Sequence, residues 1–195
     1  MKKIIGVLIG LGVLIFISNK TVKNLNLNPS YEIGQKIDSL NKVVVYYNGG
    51  VGNVEERSTV NGYNIGLKYQ CVEFVKRYYF EYLNHKMPDS YGHAISFFDS
   101  KLKDGELNKK RDLMQYRNPS KLKPKVNDLI VINKTLLNKY GHVAIISAVS
   151  KDKIEIIQQN PGPFKPPRLE FTIKKIKDGR WIIENERILG WLRKN

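Results

Sequence analysis

Between Asn127 and Arg193 the chain is a succession of short runs, "NDLIVIN", "HVAIISAVS", "KIEIIQQN", "RLEFTIKKI", "RWIIEN" and "RILGWLR", parted by Gly, Pro, Asp or Lys. Runs of this length and β-rich composition read as strands, and connections this short join neighbours antiparallel. The last third therefore predicts an antiparallel sheet. Upstream, in "CVEFVKRYYFEYL", apolar or thiol positions recur at 71, 74, 75, 78, 79 and 82, the spacing of one helix face. Helix first and sheet second predict an α+β domain.

The remaining segments are less patterned. "YEIGQKIDSLN" allows a short helix, "KVVVYYN" is a strand run, and "GGVGN" breaks it. From Lys101 to Pro124 the chain is rich in Lys, Asn and Asp, and is expected to form surface connections with one short helix. With 195 residues, a single domain is expected.

The first residues, "MKKIIGVLIGLGVLIFISNK", place two lysines before an apolar run from Ile4 to Ile17. A helix over that run spans roughly 20 Å, short of a ~30 Å hydrocarbon core, so residues 1–18 read as an export signal. Bulky Phe16 and Ile17 precede Ser18 where a cleavage site would have small residues, so retention as an N-terminal membrane anchor is as consistent as removal. Residues 19–30, "NKTVKNLNLNPS", read as a polar tether, with the folded domain over 31–195. The expected location is the cell envelope. The formal charge of +15, from 33 Lys+Arg against 18 Asp+Glu, suits an anionic surface. Nucleic acid is disfavoured as a partner, because the chain has no recognition helix or Arg-rich motif.

Export sharpens the question posed by Cys71, the sole cysteine: outside the cytosol an unpaired thiol is open to oxidation and has no partner in its own chain. Burial as a small hydrophobe is one answer. Catalysis is the other. An ordinary thiol is only roughly 3% thiolate at pH 7, and the start of a helix offers free N–H groups and a positive dipole end that favour both a thiolate and an oxyanion. Gln70 offers a further side-chain donor at that position.

A nucleophilic thiol also needs a base. His85, just past the helix, reads as a solvent-facing residue, and nothing near His93 positions an imidazole. His142 opens the run "HVAIISAV" beside a glycine. If 142–149 and 154–160 form a hairpin turning at "SKDK", Asn160 pairs with His142 and Gln158 with Ala144, and a diagonal contact joins Gln158 to the His142 ring. Both amides are equally suited to satisfying strand-end hydrogen bonds.

With these residues on the page, "GYNIGLKYQCVEFVKRYY", "GHVAII", "IIQQNPG" and "RILGWLR" resemble the CHAP family of cysteine- and histidine-dependent amidohydrolases and peptidases, relatives of the NlpC-type and papain-like enzymes. The match runs from about Gly62 to Leu192. "YQCVEF" is also similar to the amidase domain of glutathionylspermidine synthetase. The resemblance implies a papain-like α+β domain, Cys71 as nucleophile, His142 as general base and Gln158 as the residue that orients the imidazole. It gives Tyr69, Gln70 and Asn160 supporting places. Gln158 stands where the family more often has glutamate; a neutral amide accepts a hydrogen bond from the ring but supplies no charge to an imidazolium. The implied substrate is an amide bond of peptidoglycan, cut without metal or organic cofactor by a monomer. Two further readings stay open: a catalytically idle module that binds wall peptides or a protein partner, and an amidase of the glutathionylspermidine type.

Overall fold

The computed structural model describes residues 25–195, so the expected export segment at 1–18 and the first part of the tether lie outside the described residues. From 25 onward the expected tether is bonded to the domain: Tyr47 Oη donates to Asn26 Oδ1 at 2.9 Å and Asn28 Nδ2 to the Pro163 carbonyl at 2.9 Å.

Two small hairpins come first. β1 (Lys36–Leu40) pairs with β2 (Val43–Tyr46), and β3 (Arg57–Val60) with β4 (Tyr63–Leu67). The expected helix over 31–41 is absent. Asn41 and Lys42 both take positive φ, 48° and 71°, the turn that reverses a strand in two residues, and β1 runs back along the β-branched β2. Asn61 and Gly62 repeat this device between β3 and β4, at 48° and 76°.

The single α-helix among the described residues, α1, spans Cys71–Glu81. It ends in a left-handed residue, Asn84 at φ 47°, which lets His85 N donate to the Tyr79 carbonyl at 2.9 Å. A 3₁₀ turn at Ala94–Phe97 follows.

The remaining strands are β5 (Glu106–Asn108), β6 (Leu113–Arg117), β7 (Leu129–Ile132), β8 (His142–Val149), β9 (Lys153–Ile157), β10 (Arg168–Lys175), β11 (Trp181–Ile183) and β12 (Ile188–Arg193). They form one eight-stranded antiparallel sheet in the order β11-β10-β9-β8-β7-β12-β6-β5. The strands predicted for the last third are all present in it. So are β5 and β6, which correct the expectation of surface connections and a short helix between 101 and 124. The inward position of β6 is held by a polar residue, which hid the strand pattern. Gln115 is fully buried, donates through Nε2 to the Asp99 carbonyl and accepts from Asp99 N and Asn108 Nδ2.

Alternation along β8 splits the core in two. Val143 and Ile145 face α1, where they meet Phe74, Val75, Tyr78 and Tyr79 together with Val43 and Val45 of β2. Ala144 and Ile146 face the other way, against Ile156, Ile173, Ile183 and Trp191. The sheet rolls to enclose this second layer: Trp181 of β11 bridges to Ser120 beyond β6, and Asn118 Nδ2 donates to the Ile183 carbonyl at 3.0 Å. The helix is thus clamped to a rigid sheet, with its first residue beside the start of β8.

Candidate active site

Cys71 owes its position to a tight strand-to-helix connection. β4 ends at Leu67, Tyr69 takes φ 64°, Gln70 is extended, and Cys71 is the first helical residue. A non-glycine residue in the left-handed region is strained and persists only where its surroundings hold it. Here the Tyr69 ring packs 5.4 Å from that of Tyr46, and its hydroxyl lies where a side chain on Gly34 would be. Tyr69 is thus a brace for the turn. Gly66 lets β4 approach the helix: at φ 139°, a Cβ there would come within 3.0 Å of Glu73 Cα.

The end of β9 holds the same turn from the other side. Gln159 is fully buried, with its amide divided among three elements: Oε1 accepts Tyr46 N at 2.8 Å, and Nε2 donates to the Gln70 carbonyl at 3.1 Å and to Glu73 Oε2 at 2.8 Å. The other oxygen of Glu73 pairs with Arg77 Nε at 2.5 Å. Gln159 and Glu73 were overlooked in the sequence, although both stand beside residues singled out there. Their signal was a polar side chain at an inward position of an apolar pattern, where burial demands a partner.

Asn160 is not beside the His142 ring. β9 ends at Ile157, Asn160 turns into the left-handed region at φ 55°, and Nδ2 donates to the Val51 carbonyl and to Gln70 Oε1 at 3.1 and 2.8 Å. It steadies the residue before Cys71. Gln70 also donates through Nε2 to the Asn53 carbonyl at 2.6 Å, which leaves one N–H of that amide for a substrate oxygen.

The expected hairpin register holds where it matters: Ile145 faces Ile157 and Ile146 faces Ile156, before a bulge at Ser147 shifts the pairing. Extending that register puts Gln158 within diagonal reach of His142. His142 Nε2 lies 3.0 Å from Gln158 Oε1. The amide's orientation is set independently, because Gln158 Nε2 donates to the Pro166 carbonyl at 3.2 Å. Its oxygen therefore faces the ring, Nε2 of His142 must carry the proton, and Nδ1 is left as the basic nitrogen.

Cys71 is half-buried and the backbone N–H of Val143 acts on its sulfur, so the thiol lies against the peptide that follows His142. No direct Cys71–His142 hydrogen bond is present among the described residues. Burial favours the uncharged form of each group. It pushes the thiol up to about 11, against the pull of the N–H groups of Val143, Val72 and Cys71 itself. It pushes the imidazole down to about 4, against the Gln158 hydrogen bond and with help from the Lys165 and Arg187 cations. At neutral pH the pair is thiol and imidazole, with one proton available for transfer.

The other histidines lie elsewhere. His85 is buried, contrary to the solvent-facing expectation, because the helix cap folds it inward to bond the Arg111 carbonyl through Nε2 at 2.9 Å. His93 is exposed and stacks on Tyr140, ring centres 4.4 Å apart. Among the described residues no cluster of His, Cys, Asp and Glu is arranged to hold a metal, and no helix is long and apolar enough to cross a membrane.

Comparison with known proteins places this arrangement. The family model described as the CHAP domain matches residues 60–160, the segment that contains Cys71, His142 and Gln158. The chain belongs to the CHAP domain family. CHAP domains are generally hydrolases of the amidase or peptidase kind. Among curated proteins, this CHAP chain is 31% identical to trypanothione synthetase of Crithidia fasciculata over 146 residues, 70% of this chain and 22% of that protein. It is 27% identical to glutathionylspermidine synthase of the same organism over 143 residues, 66% of this chain and 19% of that one. The chain thus spans about a fifth of the length of these relatives. Among solved structures, the endolysin LysIME-EF1 is similar with TM-score 0.39 at 18% identity, covering 72% of this chain and 58% of that one. Ly7917 is similar with TM-score 0.36 at 16% identity, covering 65% and 54%.

Proposed function

We propose that this CHAP domain is a cysteine amidohydrolase on a papain-like scaffold, with Cys71 as nucleophile, His142 as general base and Gln158 as the residue that holds the imidazole. The observation that carries this reading is the His142–Gln158 contact at 3.0 Å, which leaves the basic Nδ1 free beside the strand that borders the Cys71 sulfur. Nδ1 takes the thiol proton as sulfur attacks an amide carbonyl, and the charge that develops on the carbonyl oxygen meets the N–H groups of the first helical turn and the remaining Gln70 N–H. The imidazolium then protonates the departing amine, and water activated by the neutral ring releases the acid. Because both groups are neutral at rest, charge is created only as the bond forms.

The substrate we propose, in keeping with the CHAP family, is an amide of peptidoglycan, reached outside the cytosol by way of the segment expected at residues 1–18. The basic surface suits that polymer. A second reading comes from the curated relatives, one of which is named for glutathionylspermidine, a conjugate of glutathione with a polyamine. Incubating the purified chain separately with peptidoglycan and with glutathionylspermidine, and identifying new termini by mass spectrometry, decides between them. Wild-type cleavage of peptidoglycan that is absent in Cys71→Ala supports the first reading; cleavage of the conjugate alone replaces it with the second. Cleavage of neither leaves a binding module and overturns the enzyme reading.

A further inference from the structure

Beyond the thiol and imidazole, the end of the sheet that carries His142 opens into a cavity of about 630 Å³, in the range that holds a small ligand or a ligand segment. It belongs to the same end of the molecule by strand register. His142 at the start of β8 faces Ile132 of β7, Ile132 faces Ile188 of β12, and Gly190 of β12 faces Arg117 of β6. Ile188, Arg117 and Asn133, the residue after β7, all line the cavity. At about 4.8 Å per strand, Ile188 lies roughly 10 Å from His142. Ile95, also in the lining, donates its N–H to the Tyr140 carbonyl at 2.9 Å and packs against Gly141, so the cavity wall touches the chain that leads into His142.

The lining has a definite chemistry. Arg117 directs Nε and Nη2 to the Leu102 and Ser100 carbonyls, and Arg180 directs Nε and Nη2 to Asp178. In each guanidinium Nη1 has no hydrogen-bond partner among the described residues. Glu186 is the only carboxylate in the lining, and Ile95, Phe98, Ile188 and Leu189 are its apolar part. Arg180 is already paired with Asp178, while Arg117 is held by carbonyls alone, so the cavity offers one unpaired cation and two free Nη1 groups, a donor set suited to one carboxylate. The apolar residues suit the aliphatic side chain of the amino acid that carries it.

We propose that this cavity is a subsite for the free carboxylate of a peptide substrate, bound by Arg117 and Arg180 about four residues from the amide that Cys71 attacks. The spacing follows from the three strand steps between β8 and Arg117 on β6, roughly 14 Å, and the ~3.5 Å reach of each extended residue. The subsite rests on the reading of Cys71 and His142 as the reaction centre, and it makes the substrate an open peptide end on one side of the scissile bond.

The test separates binding from turnover. Full-length Cys71→Ala protein is titrated with an N-acetylated tetrapeptide bearing a free C-terminal carboxylate and with the same peptide C-terminally amidated, followed by backbone amide shifts. The free acid binds at least tenfold more tightly, with shifts at Arg117, Arg180 and Leu189. Arg180→Gln, which leaves the loop contacts of Arg117 intact, weakens the acid about tenfold and leaves the amide unchanged; Glu186→Gln tightens the acid. Equal affinity for the two peptides, absence of saturable binding, or shifts confined to other surfaces overturns the subsite. If the acid binds as described but wild-type protein cleaves no amide, the catalytic reading fails and the subsite stands. If wild-type protein cleaves with a KM indifferent to the carboxylate and to Arg180→Gln, the subsite fails alone.

Discussion

His142 meets Gln158 through Nε2, at 3.0 Å, and Gln158 is itself anchored on the Pro166 carbonyl, so the imidazole is held in one tautomer by a group without charge. A carboxylate at this position would do the same and would also stabilise the imidazolium. Gln158→Glu is therefore expected to raise the His142 pKa from about 4 and to increase kcat/KM severalfold at neutral pH. Because the base must be unprotonated to act, the acid limb of the pH profile moves to higher pH in this variant. Gln158→Ala, which frees the ring, lowers kcat by about 10- to 100-fold. A Gln158→Ala enzyme with unchanged kcat and pH profile would refute the orienting role.

The neutral resting pair has a second consequence, in alkylation. Burial holds the Cys71 thiol up to about 11, so the rate of iodoacetamide modification climbs with pH through the range 8 to 11 and does not level off near neutrality. A rate already maximal at pH 6 would show a thiolate–imidazolium ion pair in its place. Cys71→Ala abolishes both alkylation and hydrolysis, with turnover reduced by about 10³-fold or more, while the fold is retained.

Stability carries the same imprint. The folded-state pKa of His142, about 4, lies below the unfolded value of about 6.5, so as pH falls the unfolded chain takes up the proton first. The contribution is full above about pH 6.5 and is lost progressively as pH drops toward 4. Between pH 7 and pH 5 it amounts to about 2 kcal/mol. In chemical denaturation at those two pH values, His142→Gln should lose less stability than wild type by about that amount. Equal losses would mean that the ring is as accessible to protons in the folded chain as in the unfolded one.

These groups show which parts of the molecule are legible from residue order. The helix face at 71–82 and the strands of the last third are legible because the helix turns its apolar face to one core layer and the central strands carry near-continuous apolar runs that fill both. The Gln158–His142 contact was within reach because the strand period and a short turn constrain the register near Ile145 and Ile157. Asn160 was misplaced by extending that register past Ile157, where the chain leaves the strand through a positive φ that the dipeptide Asn160-Pro161 hints at but does not require. β1 and β6 were missed for opposite reasons. β1 has no fully buried residue and little pattern, while β6 turns the polar Gln115 inward. The cavity beside Arg117 and Arg180 joins residues from distant strands that only the sheet order brings together.

Gly66 gives a prediction about backbone alone. At φ 139° an L-residue is strained, and an added Cβ would press on the Glu73 backbone from 3.0 Å. Gly66→Ala should cost about 2 to 4 kcal/mol, and its residual folded fraction should show reduced kcat because the displaced turn carries Cys71. Thermal melts beside single-turnover kinetics check both halves; an unperturbed melting temperature would mean that β4 moves away from the helix without cost.

Gln159 is the sharpest test of how the helix start is held. Its amide bonds Tyr46 N, the Gln70 carbonyl and Glu73 Oε2 from a fully buried position, so Gln159→Leu keeps the volume but leaves one donor and one carboxylate oxygen without a partner, while the Gln70 carbonyl keeps only Phe74 N. Each unsatisfied buried group costs about 1 to 3 kcal/mol, which predicts a total loss near 3 kcal/mol or more. The activity of the folded fraction should fall further than Gly66→Ala predicts, since the Gln70–Cys71 peptide loses its tie to the strand that presents Gln158 to His142. Denaturant unfolding together with kcat per folded molecule separates the two effects. A variant that loses stability but keeps full kcat per folded molecule would show that the sulfur is placed by the helix and the Tyr69 turn alone, with the end of β9 serving only to hold the fold.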